Sequence, residues 1–266
     1  MQSIISDYVR QHDRDHFICS LFVSRSVRRN YLALYAFNIE INNIIYDCSE
    51  TMTALVRLQW WRERISMIYC NKAVNDNQVI LELANVIYSA AIPEFLINDY
   101  LDGYEQMVYQ PFYRNTPNLE KIAAQTTVTL IKILFTTTIQ NYSNDQLAYH
   151  CGVAWHLMNS LRNTTTERLD EETMVSIVER AEYHINQVKK LIKTAPKEIV
   201  KITLQTRLAG LYLKRIRNKK SDVISGKIGY PLINRPLKPI SDSHFAVKTC
   251  LCSSNIYCRN SLKLIR

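Results

Sequence analysis

The sequence predicts an all-α protein, and three features of it support this prediction. Apolar residues recur at helical spacing through most of the chain, as at Leu34, Phe37, Ile41 and Ile44, which are separated by three, four and three positions. A sustained alternation of apolar and polar residues, which is typical of strands, is hard to find. Only 5 Gly and 7 Pro occur, and Pro231, Pro236 and Pro239 lie close together near the end of the chain. Long helices can therefore continue without interruption through the first two hundred residues.

The periodicity and the chain breakers together give an order of nine predicted helices. They are Asp15–Val23, Val27–Tyr46, Thr53–Asn71, Asn77–Ala91, Pro93–Tyr109, Leu119–Ile139, Asp145–Arg162, Asp170–Thr194 and Pro196–Asn218. Pro93 and Pro196 suit first-turn positions, and Asn144 can cap the helix that follows it. We expect one helical domain over residues 1–220, followed by an irregular tail over residues 221–266 that is punctuated by proline.

The charge and the cysteines restrict the class of protein. The net charge of +9 favours acidic partners, which include phosphate groups, an anionic membrane surface and an acidic protein surface. No recognition helix, RNA-binding aromatic motif or zinc finger is recognisable, so we expect no nucleic-acid partner. Seven scattered cysteines indicate a reducing compartment, and no stretch of eighteen residues is apolar enough to span a membrane. These features predict a cytoplasmic protein, soluble or peripheral at the inner face of a membrane.

Two predicted helices carry stripes of polar and aromatic side chains. On the second helix, Tyr31, Tyr35, Asn38, Asn42 and Tyr46 are separated by steps of four, three, four and four. Such steps place all five side chains along one side of a helix. A stripe of this kind predicts that the helix faces something specific.

The second stripe lies on the seventh predicted helix and just beyond it. It contains His156, Asn159, Asn163 and Glu167, at steps of three, four and four. The two stripes could face each other across a cavity in the bundle. From spacing alone, the more frequent explanation is that these are ordinary buried amides, which neighbouring helices or water satisfy.

Several segments resemble the squalene/phytoene synthase family in residue type, order and spacing. Ala33–Phe37 and Gly152–Arg162 are similar to the two signature helices of that family. Leu58–Glu63 and Ala36–Glu40 resemble a branch that includes the phytoene-synthase-like assembly factor of mitochondrial complex I and its bacterial relatives. Leu208–Arg215 is similar to the last core helix. The resemblance implies the isoprenoid-synthase fold, an all-α bundle with a central cavity.

The resemblance also implies a metal site that this chain has largely lost. Catalytic members condense two prenyl diphosphates head to head, and two Asp-x-x-x-Asp motifs hold the Mg²⁺ ions that neutralise the leaving group. Laid on this chain, the first motif falls on Asn42 and Tyr46, and the second on Asn163 and Glu167. Glu167 is then the one remaining anion and the one candidate metal ligand. Since Mg²⁺ normally requires carboxylate or phosphate oxygen, three missing charges should disable the site.

We therefore expect a pseudoenzyme without a cofactor, which uses the bundle as a binding scaffold for a protein, a membrane surface or a retained isoprenoid or other lipid. The positions that would bind a substrate are Tyr35, Asn38, His156, Asn159 and Arg162. The alternative is a working head-to-head prenyltransferase that holds fewer Mg²⁺ ions through Glu167, with help from Asp47 and Asn163. A third hypothesis is a degenerating gene product, because the tail after Ile240 has no clear family resemblance and a composition poor in helix-forming residues.

Other candidate sites have plainer explanations. His12 and His16 are four residues apart, but without a third ligand they are expected to be solvent-exposed. Trp60 and Trp61 are adjacent on one helix, so at least one of them is expected in the core. A set of arginines is suited to pairing with phosphate or carboxylate, because the guanidinium offers bidentate geometry. The set comprises Arg28, Arg29, Arg57, Arg62 and Arg162.

Overall fold

Local capping residues begin several helices where the sequence indicates. In the computed structural model, Asn77 Oδ1 accepts a hydrogen bond from Ile80 N at 2.9 Å, and Asn144 Oδ1 accepts one from Leu147 N at 3.0 Å. These side chains satisfy backbone N–H groups that the first turn of a helix leaves without partners. The predicted cap at Asn144 is thus confirmed.

The structure describes residues 4–48, 50–109, 115–162 and 170–218, with the backbone alone at positions 46, 47 and 218. Within these ranges there are twelve helices and no strand, which confirms the predicted all-α class. The helices are Ile4–His12 (α1), Arg14–Ser20 (α2), Arg25–Asp47 (α3), Thr51–Tyr69 (α4), Gln78–Ala90 (α5), Glu94–Tyr109 (α6), Thr116–Gln125 (α7), Thr127–Thr138 (α8), Asp145–Arg162 (α9), Glu171–Leu191 (α10), Lys197–Ile202 (α11) and Leu204–Asn218 (α12). The predicted tail, 221–266, lies outside the described residues.

Helices α3 and α9 organise the packing. Helix α3 contacts α1, α2, α4, α5, α6 and α8, whereas α9 contacts α7, α8, α10 and α12. The apolar stripe on α3 that predicted a helix is fully inside, because Leu34, Phe37 and Ile41 have no exposed surface. No helix in the described ranges combines the length and apolar character that crossing a membrane requires.

The structure adds α1, which the sequence did not predict. This helix of nine residues buries Ile5 and Val9, which are one turn apart. It contacts α2, α3 and α5. A helix this short is marginal in isolation, so packing rather than local sequence stabilises it.

The predicted helix Leu119–Ile139 is wrong as a single element, because it is broken at Thr126. Thr126 has φ −105° and ψ −84°, and its hydroxyl donates to the Ile122 carbonyl at 2.8 Å. Two glycines approach the backbone on either side of this break. A Cβ at Gly103 of α6 would lie 2.9 Å from Gln125 backbone atoms, and one at Gly152 of α9 would lie 2.8 Å from Val128 N and Cα. The break therefore lies where α6 and α9 come unusually close to the α7 and α8 backbone.

The predicted helix Pro196–Asn218 is also wrong as a single element, because it is interrupted at Thr203. The Thr203 hydroxyl donates to the Val200 carbonyl at 2.8 Å, and Thr206 N donates to the Thr203 carbonyl at 2.9 Å. A threonine that hydrogen-bonds its own preceding turn offers the backbone an alternative to the regular helix.

We expect Gly152→Ala to lower the free energy of unfolding by about 1–3 kcal/mol, the usual cost of overpacking. The added methyl would lie 2.7 Å from Val128 Cγ2, and the backbone atoms behind that side chain cannot rotate away. Unfolding in urea measures the change. The matched control is Gly210→Ala on α12, where the new Cβ meets only Ile185 Cδ1, at 3.9 Å. This control should leave stability unchanged or raise it by about 0.5–1 kcal/mol. Equal destabilisation by both variants would contradict the close approach of α8 and α9.

Candidate functional site

The polar stripe on α3 meets two tyrosines of α6. Tyr100 OH donates to Asn38 Oδ1 at 2.9 Å, and Tyr104 OH lies 3.3 Å from Asn38 Oδ1 and 3.2 Å from Asn42 Oδ1. Asn42 Nδ2 donates to the Asn38 carbonyl at 2.7 Å. The two amides are half-buried and are satisfied by a neighbouring helix, which is the explanation that spacing alone favoured. Both amide oxygens therefore already accept hydrogen bonds from within the bundle.

The next residue of the stripe, Tyr35, belongs to a buried polar cluster with α2 and α12. Tyr35 OH donates to Gln205 Oε1 at 2.6 Å, and His16 Nε2 lies 2.9 Å from the same oxygen. The His16 ring stacks on Tyr35 with centroids 3.8 Å apart and meets Trp155 edge to face at 4.7 Å. His16 Nδ1 is 2.6 Å from Asp13 Oδ2. Side chains from α3, α9 and α12 thus contact the imidazole of His16, which belongs to α2.

The predicted exposure of the histidine pair is therefore wrong for His16, which is 3% exposed. His12 is exposed, as predicted, and its Nδ1 lies 2.9 Å from the Tyr8 carbonyl. Burial by itself would raise the pKa of Asp13, but the charge and hydrogen bonds of His16 lower it below its ordinary value. The Asp13 carboxylate consequently remains ionised beside the His16 ring.

Arg162, a predicted substrate-binding residue at the end of α9, is in a largely buried ion pair. Its Nη1 lies 2.5 Å from Asp15 Oδ2 and donates to Tyr212 OH at 3.4 Å. Tyr212 OH in turn donates to Asp15, at 2.9 Å from both carboxylate oxygens. The Asp15 side chain is 7% exposed and the Arg162 side chain 20% exposed. This cluster connects α2, α9 and α12.

The first residue of the stripe on α9, His156, contacts α8. Helix α8 in turn contacts both α9 and α3. His156 Nδ1 lies 3.3 Å from Thr127 Oγ1. Burial lowers the pKa of His156 to about 4, so the ring is neutral near pH 7 and offers no charge to a diphosphate. The buried Oδ1 of Asn159 has no hydrogen-bond partner among the described residues.

The residues that the resemblance assigns to metal binding are described only in part. Asn42 is half-buried, whereas the side chain of Tyr46 and the whole of Asn163 and Glu167 lie outside the described residues. Within those ranges no group of three or more acidic, histidine or cysteine side chains could hold a metal. At Asn42 the only side-chain oxygen that a metal could bind is that of a neutral amide, and it already accepts a hydrogen bond from Tyr104 OH. This chemistry does not fit Mg²⁺.

A second cluster, which the sequence did not predict, joins α7, α9 and α10. His150 Nδ1 and His184 Nδ1 are 2.8 Å apart, and His184 Nε2 lies 3.3 Å from Glu120 Oε1. Arg180 donates to both oxygens of Glu120, at 2.7 and 3.1 Å. Burial lowers the pKa of His184 to about 4 although Glu120 acts in the opposite direction, and burial also lowers the pKa of His150. The pair is thus neutral near pH 7, with one ring donating to the other.

The sequence indicates Tyr35, Asn38 and Arg162 as binding positions, but it does not indicate their hydrogen-bond and ion-pair partners. Tyr100 and Tyr104 are one turn apart on α6 and share a helix face, which is a signal that could have been noticed. Gln205 lies 189 residues after His16, and nothing local in the sequence connects them.

Comparison with known proteins shows the family. Residues 9–173 match the model of the squalene/phytoene synthase family. The human protein named NADH dehydrogenase (ubiquinone) complex I, assembly factor 6 is 23% identical over 247 residues, which cover 82% of this chain and 74% of the human protein. The Bos taurus protein of the same name has the same identity and coverage, and the Drosophila melanogaster homologue is 22% identical over 245 residues, covering 79% and 73%.

Solved structures show the same fold. The squalene synthase HpnC from Alicyclobacillus acidocaldarius superposes with a TM-score of 0.68 at 13% identity, covering 82% of this chain and 93% of that one. A dehydrosqualene synthase in complex with a ligand superposes with a TM-score of 0.69 at 12% identity, covering 88% and 89%. The bundle therefore has the isoprenoid-synthase fold that the resemblance implied, and the chain belongs to the squalene/phytoene synthase family.

Proposed function

We propose that the protein is a non-catalytic binding scaffold that acts, like the relatives named complex I assembly factor 6, in the assembly of NADH dehydrogenase. The observation that carries the proposal is the hydrogen bonding of the α3 stripe. Where the resemblance implies a carboxylate that holds Mg²⁺, Asn42 accepts a hydrogen bond from Tyr104. The side chain is neutral and has a structural partner, which is the arrangement expected of a scaffold.

Two more predicted binding positions support this function. Arg162, a predicted substrate-binding residue, is paired with Asp15 in the bundle. His156 is neutral at physiological pH because burial lowers its pKa to about 4. Neither side chain can easily contribute a free positive charge to a substrate, so the site is poorly equipped to stabilise a diphosphate leaving group.

The partner is proposed to be a protein, with contact to a membrane surface at the cytoplasmic face. The net charge of +9 suits either kind of acidic surface. An isoprenoid or other lipid, retained in the central cavity that the resemblance implies, belongs to the same proposal, and neither a nucleic acid nor a cofactor does.

Deletion of the gene in the organism that encodes the chain tests this function. Solubilised membranes are separated on a native gel and stained for NADH dehydrogenase activity. The mature complex should be lost on deletion and restored both by the wild-type chain and by Glu167→Ala, because no metal carboxylate is required. A full-strength complex in the deletion strain would contradict the assembly role.

Rescue by the wild type but not by Glu167→Ala would instead favour the alternative function. In that alternative, the protein condenses two prenyl diphosphates head to head and holds Mg²⁺ through Glu167, with help from Asp47 and Asn163. Immunoblotting of both rescued strains controls for equal amounts of protein.

A further inference from the structure

The outer face of α4 exposes an apolar stripe that none of the clusters described above uses. Met52 and Val56 are 69% and 65% exposed and lie one turn apart, and the half-exposed Trp60 lies one turn further on. The opposite face of α4 packs inward through Leu58 and Trp61, which are 1% and 3% exposed. Contiguous exposed apolar side chains on one helix face are typical of an interaction site. We call Met52, Val56, Arg57 and Trp60 the α4 surface.

Arg57 differs from the other two arginines of α4. Arg62 pairs with Asp102 at 2.6 Å and with Glu105 at 2.7 Å, and Arg64 pairs with Asp76 at 3.2 Å. The exposed Arg57 forms neither an ion pair nor a hydrogen bond within the described ranges. One exposed guanidinium beside the apolar stripe thus lacks the carboxylate that its neighbours have.

A cleft of about 250 Å³ opens beside the α4 surface. It is lined by Glu40, Asn43, Ile44, Arg57, Trp60 and Trp61. This volume lies below the range of roughly 300–1,000 Å³ typical of small-molecule sites, so a side chain fits the cleft better than a metabolite does. Glu40, the acidic residue in its wall, accepts a hydrogen bond from Tyr8 OH at 2.6 Å. Trp60 and Arg57 are residue types that dominate binding energy at protein interfaces.

We propose that the α4 surface docks an amphipathic helix of a partner protein, which inserts one apolar side chain into the cleft and pairs an Asp or Glu one turn away with Arg57. The proposal rests on the scaffold function and names the chemistry of the partner. The occupant is a helix rather than a lipid surface because the cleft is concave and the unpaired cation lies at its rim. Helices that bind grooves place their anchors at this spacing of three or four residues.

A displayed library of helical peptides, about four turns long, tests the proposal when selected against the folded protein. Enriched peptides should carry a large apolar residue with Asp or Glu three or four positions away. Arg57→Glu should weaken their binding about 30-fold, the loss expected at an interface hot spot. Selection against Arg57→Glu should enrich Lys or Arg at the same position. The matched control is Arg207→Glu, an exposed arginine of α12, which should leave peptide binding unchanged.

Three outcomes would overturn the docking proposal. These are no enrichment, enriched peptides without an acidic residue, and peptides that bind Arg57→Glu as well as the wild type. Vesicles that contain phosphatidylglycerol provide the competing probe, because binding to them that Arg57→Glu abolishes, without peptide binding, would assign the surface to lipid. If gene deletion removes NADH dehydrogenase but the selection enriches no peptide, the docking proposal is wrong and the proposed assembly function is retained.

Discussion

Replacing Asp15 with alanine is expected to lower the free energy of unfolding by about 3 kcal/mol, the lower end of the cost of removing one partner of a buried ion pair, because the Arg162 side chain is 20% exposed. The Arg162 guanidinium would remain largely buried without its carboxylate, and Tyr212 OH would lose the group to which it donates. Since these three side chains connect α2, α9 and α12, the loss should affect the whole bundle rather than one helix end.

Unfolding in urea, followed by circular dichroism, measures this loss. The matched control is Asp145→Ala, which removes a carboxylate from the pair with Lys132 at 2.9 Å. In that pair the side chains are 73% and 38% exposed, so the expected cost is about 0–1 kcal/mol. Similar losses in the two variants would show that the Asp15 cluster does not hold the bundle together.

The second large effect is a loss of stability as the pH falls from about 6.5 to about 4. His156 and His184 have pKa values lowered by burial to about 4, against 6.5 for an ordinary histidine. Between these values the unfolded chain binds protons that the folded protein excludes, so each step down in pH favours unfolding. Below about pH 4 both states are protonated and this contribution levels off.

The His156→Gln variant tests the pH dependence. It removes one of the two histidines whose pKa is lowered to about 4, and it keeps a polar, uncharged side chain at that position. The dependence of unfolding free energy on pH over this window should become markedly weaker. His12→Gln, at an exposed position, is the control and should leave the dependence unchanged. An unaltered slope in His156→Gln would contradict the burial of a neutral imidazole against α8.

Helical periodicity predicted the long helices well and the breaks poorly. The bounds of α9 agree with the prediction because Asn144 caps its start and apolar residues cover much of its surface. The break at Thr126 lies where Gly103 and Gly152 approach from other helices. The spacing of apolar residues within one segment does not reveal contacts from other helices, so the break could not be predicted from that segment alone.

The sequence predicts which side of α3 the polar side chains occupy, but it does not predict their hydrogen-bond partners. The spacing of Tyr35 and Asn38 correctly places both on one side of α3, and both are hydrogen-bonded there. Their partners, Gln205 and Tyr100, come from α12 and α6, and the choice between a ligand cavity and internal hydrogen bonds depends on those helices. His16 was misjudged for the same reason, because its burial results from packing against α3, α9 and α12.

Whether this family member is a catalyst is decided by measuring diphosphate release. The purified protein is incubated with radiolabelled farnesyl or geranylgeranyl diphosphate and Mg²⁺ or Mn²⁺, beside an active squalene synthase, and both diphosphate and hydrocarbon products are followed. Circular dichroism establishes that the chain is folded and helical. We predict no release above the rate without protein. Metal-dependent release that Glu167→Ala abolishes would contradict the account and show that other groups replace the missing carboxylates.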